Sequence, residues 1–219
     1  MCEDAEEVAR IVAERLVAVA RAGGSVVLTG GSGPKRAYEL AAELEPDWSA
    51  AEVWWGDERC VEPEDERSNY RLAKETLLDA LSAPPVVVHR IRGELGKDAG
   101  AGAYEEELGS TALDLVLLGL GPDGHVASLF PNEPSLDVHD RRAIGTEPKL
   151  EPYVDRISLT LPALNDAEAV LFVVTGESKA DAVARAFAGE ATKATPGSLV
   201  RVENGNTVAV LDEAAAAKL

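Results

Sequence analysis

Ser25-Val26-Val27-Leu28-Thr29-Gly30-Gly31-Ser32-Gly33-Pro34-Lys35 decides how this chain folds. A short apolar run ending in glycines reads as a strand buried on both faces, then a tight turn. Pro34 suits the start of a helix, and Lys35 to Leu44 continues as one. Upstream, Val8, Ile11, Val12, Leu16 and Val19 recur at helical spacing, and Gly23-Gly24 closes that helix after Arg21. Downstream the alternation repeats. Val53-Trp54-Trp55-Gly56 reads as a strand, with a polar loop to Ser68 and a helix over Asn69–Leu81. Val86-Val87-Val88 leads through a glycine-containing loop to a helix over Ala101–Leu108. Leu113–Leu118 is the most apolar strand, and Ile157–Leu159, Val170–Val174 and Val208–Leu211 are later ones. A helix is expected over Glu177–Phe187, and the alanine run Ala214–Ala217 reads as a helical tail. Apolar strands alternating with helices predict an α/β fold: a single domain, 1–219, built on a mostly parallel sheet with helices on both faces.

Composition narrows the function. The 219 residues carry 21 Lys+Arg and 39 Asp+Glu, a formal net charge of −18. Affinity for nucleic acid rests on cations that neutralise phosphates, so this balance argues against such a partner and against anionic membranes. Aromatics make up 5%, too few for a base-stacking surface. The start, Met1-Cys2-Glu3-Asp4-Ala5-Glu6-Glu7, lacks the basic and apolar regions of a signal peptide. No apolar run approaches the ~18 residues of a membrane span. Cys2 and Cys60 match no zinc or redox spacing and read as reduced thiols of a cytoplasmic protein. No His-x-x-x-His or Cys-x-x-Cys pair is present, so a catalytic metal is not expected.

Ligands of open α/β sheets bind outside the carboxyl ends of the strands. Four polar segments leave strands there. Gly30-Gly31-Ser32-Gly33 fits neither the dinucleotide nor the P-loop pattern, and Pro34 breaks the nucleophile elbow, so Ser32 reads as a ligand for phosphate or hydroxyl rather than a nucleophile. Gly56-Asp57-Glu58-Arg59 offers a guanidinium to an anion, or a plain surface salt bridge. Gly121-Pro122-Asp123-Gly124-His125 places a histidine in a glycine-rich loop, where it can act as a general base or simply complete the loop. Thr175-Gly176-Glu177-Ser178-Lys179 sets a lysine in the first turn of a helix, against the usual dipole preference, as a bound anion would allow. His89 and His139 have no such setting.

These motifs, in this order, resemble the 6-phosphogluconolactonases over nearly the whole chain. Gly121-Pro122-Asp123-Gly124-His125-Val126-Ala127-Ser128-Leu129-Phe130-Pro131 is similar to the family signature. Trp55–Arg59 with Ser68-Asn69-Tyr70, Arg156–Pro162, and Gly176–Lys179 resemble three further blocks. The resemblance implies the sheet architecture of glucosamine-6-phosphate deaminases, ribose-5-phosphate isomerases and CoA transferases. It implies hydrolysis of 6-phospho-D-glucono-1,5-lactone in the oxidative pentose phosphate pathway, without metal or cofactor. His125 would activate water. Arg59 would bind phosphate or steady the oxyanion. Gly31, Ser32, Gly33 and Lys179 would clamp phosphate, and Asp57 and Arg156 would join the substrate-binding set. Asp123 would shape the turn or orient His125. The alternatives are a deaminase/isomerase on the same fold and a sugar-phosphate sensor. Ser128-Leu129-Phe130-Pro131 stands where deaminases carry an Ala-Phe-Asn-Glu-Pro-like run. The segment between Arg59 and Ser68 is more acidic than an anionic substrate would suggest.

Overall fold

The computed structural model describes residues 1–202 and 205–219. Helix α1 (Ala5–Arg21) begins where the Asp4 side chain accepts the Glu7 N–H and buries Val8, Val12, Leu16 and Val17. Strand β1 (Ser25–Leu28) follows, then α2 (Lys35–Leu44) and β2 (Glu52–Trp55). After β2 come β3 (Asp57–Arg59), α3 (Asn69–Thr76), β4 (Val87–Val88), α4 (Lys97–Leu108) and β5 (Leu115–Leu118). The chain ends with β6 (Ala143–Thr146), β7 (Arg156–Leu159), α5 (Leu161–Asn165), β8 (Ala169–Val174), α6 (Ala180–Val183) and β9 (Asn206–Leu211).

Six strands form a parallel sheet in the order β4-β2-β1-β5-β8-β9. Every residue of β1 and β5 is buried, as strands covered on both faces require. The expected α/β class and mostly parallel sheet are what the structure has. It adds a three-stranded antiparallel sheet, β3-β7-β6, that the sequence reading lacked. Asp57–Arg59 lay in the expected loop and Ala143–Thr146 was unassigned. A charged triplet shows no apolar alternation, and β6 contributes only one large apolar residue.

Gly56 joins the two sheets. Its N–H donates to Leu28 O of β1 at 2.9 Å, and its carbonyl accepts from Leu159 N of β7 at 2.8 Å. The chain therefore leaves the parallel sheet at the carboxyl end of β2 and delivers Asp57 and Arg59 to the edge where ligands bind. Two buried tyrosines finish the strand ends. The Tyr38 hydroxyl donates to Thr29 O at 2.7 Å and accepts Thr29 N–H at 2.9 Å. The Tyr104 hydroxyl does the same for Trp55, at 2.8 and 3.0 Å. Each satisfies backbone groups that lose their ladder partner as the strand turns into a loop.

Several boundaries differ from expectation: α4 begins at Lys97 rather than Ala101 and β9 at Asn206 rather than Val208, and three helices change more. The helix expected over Asn69–Leu81 stops at Thr76, because Leu77 takes φ −127° to bury its side chain fully before a 3₁₀ turn over Leu78–Ala80. The helix expected over Glu177–Phe187 is a 3₁₀ turn, one α turn and a π turn. Ala214–Ala217 forms turns rather than a helix; the Asp212 carboxylate takes the Ala215 N–H at 2.7 Å and the Gly176 N–H at 3.0 Å, which anchors the tail against β8.

Candidate active site

The carboxyl ends of β1, β5 and β8 and the start of β3 enclose a cavity of about 250 Å³. It gathers all eight expected residues: Gly31, Ser32, Gly33, Asp57, Arg59, His125, Arg156 and Lys179. A cleft of about 670 Å³ between α5 and the 134–137 turn holds His139 and none of them. His89 lies apart too, stacked on Trp54 at 3.6 Å with Nδ1 on Glu107 at 2.7 Å.

His125 stands on the loop after β5. Its Nδ1 meets Asp123 Oδ1 at 2.6 Å, and the same carboxylate accepts the His125 backbone N–H at 3.2 Å. An Nδ1–H held by a carboxylate leaves the lone pair on Nε2, and the ring lines the cavity. Burial works to raise the Asp123 carboxyl, but its bonds to His125 outweigh it and hold it below the usual range. Gly121 makes the pair possible: a Cβ there would lie 2.0 Å from His125 Nδ1 and 2.6 Å from Asp123 Oδ1.

Arg59 and Arg156 face each other across β3 and β7. Like charges directly opposite on paired strands repel. Neither guanidinium meets a carboxylate among the described residues. Arg59 Nη1 donates to Arg67 O at 2.5 Å, and Arg156 Nη2 reaches Leu150 O and Pro152 O only at 3.4 and 3.3 Å. Burial and then the charge of Arg59 push Arg156 below its ordinary range. The salt bridge between Arg59 and Asp57 or Glu58 that the triplet could have made is absent. Glu58 is buried behind the strand and accepts from Arg59, Asn69 and Tyr70 N–H, each at 2.7 Å, and from the Ser68 hydroxyl at 2.9 Å. It fixes β3 to the start of α3; burial still pushes its carboxyl up.

Asp57 is pinned rather than free. Ser128 Oγ donates to Oδ2 at 2.6 Å, and Asn69 Nδ2 donates to Oδ1 at 3.1 Å and to the backbone carbonyl at 2.8 Å. Asn69 and Ser128 lie in the motifs Ser68-Asn69-Tyr70 and Gly121–Pro131, but nothing in the sequence tells that their side chains converge on Asp57. A Cβ on Gly30 would overlap Asn69 Oδ1, so this glycine is required. Lys179 Nζ donates to Leu120 O at 2.8 Å, and burial lowers its pKa against the pull of Asp123. The turn holding Lys179 is too short to carry the dipole argument of its sequence context. Ser32 is exposed at the rim. Glu62, Glu64 and Glu66 of the acidic segment also face solvent. No group of three or more His, Cys, Asp or Glu that could hold a metal occurs among the described residues. None of their helices is long and apolar enough to cross a membrane.

A doubly covered parallel sheet with a histidine, a carboxylate and three cations at its carboxyl edge is a framework that suits an α/β enzyme acting on small anions. The chain belongs to the glucosamine-6-phosphate isomerase/6-phosphogluconolactonase family, whose model matches residues 3–209. It is 38% identical to the 6-phosphogluconolactonase of Streptomyces coelicolor, over 99% of this chain and 92% of that one. The 6-phosphogluconolactonase of Trypanosoma brucei superposes with a TM-score of 0.87 at 26% identity, over 100% and 97% of the two chains. A monomeric glucosamine-6-phosphate deaminase shares the fold, with a TM-score of 0.90 at 17% identity over 100% and 98%.

Proposed function

We propose that this protein hydrolyses 6-phospho-D-glucono-1,5-lactone to 6-phosphogluconate in the oxidative pentose phosphate pathway. The observation that carries the reading is His125, bonded through Nδ1 to Asp123 and lining a cavity with Arg59, Arg156 and Lys179. Relatives named 6-phosphogluconolactonase support the reaction class. His125 Nε2 takes a proton as water adds to C1. The tetrahedral intermediate then collapses, the C1–ring oxygen bond breaks, and the imidazolium returns its proton to the departing oxygen. The leaving group is an alkoxide of an activated ester, so no covalent enzyme intermediate is needed. Asp123 holds the ring and offsets the imidazolium charge. Arg59, Arg156, Lys179 and the Gly31-Ser32-Gly33 turn receive the phosphate and the oxyanion that develops at C1. Asp57, tied by Ser128 and Asn69, shapes the wall between them. Residues 1–219 act as one domain, and the acidic chain works in the cytoplasm.

The test is lactone opening on freshly made substrate with the spontaneous rate subtracted, run beside ammonia release from glucosamine 6-phosphate. The expected result is rapid opening and no ammonia above blank. Ammonia without accelerated opening would overturn the reading.

A further inference from the structure

Phe130 is 2% exposed, yet it stands outside the continuous apolar core that takes in nearly every other buried apolar side chain. It is buried among the polar groups of the site. Its ring centroid lies 5.0 Å from that of His125, tilted by 44°, and the Arg156 guanidinium carbon lies 5.9 Å from the same centroid, over the ring. The backbone holds it firmly. Ala127 and Asn132 on either side adopt φ of +48° and +58°, a conformation that costs energy in a non-glycine residue. Ser128 N–H donates to Ser158 Oγ at 3.1 Å, and Asn132 N–H to Lys193 O at 2.9 Å.

From this placement we propose that Phe130 is a positioning residue whose π face supports the Arg156 guanidinium and whose ring, packed at a tilt, supports the His125 imidazole. Arg156 needs such support: it is 95% buried by its 5% exposure, opposes Arg59, and has only two long bonds to carbonyls. An aromatic face offers it negative potential without a carboxylate that would compete with an anionic substrate. For His125, the bond to Asp123 fixes one ring nitrogen, and contact with Phe130 sets the tilt of the ring about that bond and so the aim of Nε2. Base and anion receptor thus share one support.

The inference rests on the lactonase reading and on the roles given there to His125 and Arg156. The test is site-specific replacement of Phe130 by 4-fluoro-, 3,5-difluoro- and 3,4,5-trifluorophenylalanine, which drains the π face while nearly keeping ring shape. Log kcat/KM should fall in step with fluorine number, to about tenfold below wild type for the trifluoro ring, while the melting temperature stays put. Phe130→Leu, which keeps apolar bulk without a π face, should lose at least as much. An unchanged kcat/KM across the fluorinated series, or losses that track the melting temperature, would make Phe130 a packing residue and overturn the inference. A wild-type protein that opened no lactone would bring down the functional reading and this inference with it; an active wild type with a flat series would bring down this inference alone.

Discussion

At the residue scale, function and stability pull in opposite directions at Lys179. Burial holds its pKa down, so its charge costs folding energy at neutral pH, and that cost is relieved as pH rises through the lowered value. Lys179→Met should therefore keep or raise the melting temperature at pH 7. It should also lower kcat/KM roughly tenfold to a hundredfold, the effect of losing one charge-assisted bond of roughly 1.5–3 kcal/mol. Unphosphorylated gluconolactone should be hurt much less if the ammonium reads phosphate; equal losses on both lactones would contradict that role. Asp123 behaves the other way. Its carboxyl is held below the usual range by His125, so its contribution to stability is present above the unfolded value of about 3.9 and lost as pH falls through the folded one. Melting curves of wild type and Asp123→Asn should differ near pH 6 and converge at the acid end. A gap that persisted unchanged to low pH would mean the pair contributes nothing through charge.

At the scale of elements, the site is made where several strand ends and the loops that follow them converge. Gly121→Ala places a Cβ 2.0 Å from His125 Nδ1, so the loop must open and the bond to Asp123 must break. We expect a loss of kcat on the order of 10²-fold or more, since the base loses its orientation, with far-UV circular dichroism unchanged. Retained kcat would show that the pair is not needed. Four of the strand ends that converge here were readable from apolar runs followed by glycine: Leu28 into Gly30, Trp55 into Gly56, Leu118 into Gly119 and Val174 into Gly176. The antiparallel sheet was not. Asp57-Glu58-Arg59 is a strand because its backbone pairs with Arg156–Ser158 and because Glu58 finds three donors at the start of α3, and those partners lie 10 or more residues away. Separation along the chain also hid Ser128 and Asn69, which meet at the two carboxylate oxygens of Asp57. The alanine run Ala214–Ala217 misled because helix propensity is a weak prior.

At the scale of the whole molecule, a body of formal charge −18 must hold an anion. In the proposed reading it does so by concentrating Arg59, Arg156 and Lys179 in one cavity, with Glu62 and Glu64 of the acidic segment facing solvent. The sequence has no metal-binding pair of His or Cys, so prolonged chelation should leave lactone opening unchanged. Activity that vanished and returned only with an added divalent ion would show that the histidine mechanism is incomplete. The central claim is that His125 is the general base, and the most direct measurement is the pH dependence of kcat on fresh 6-phospho-D-glucono-1,5-lactone for wild type and His125→Asn, with spontaneous opening subtracted at every pH and folding checked by circular dichroism. The account predicts that wild-type kcat falls toward acid as the imidazole takes up a proton, and that the folded variant loses this limb along with about 10²–10⁴-fold of the rate. A folded His125→Asn protein with near-wild-type kcat and the same acid limb would contradict it.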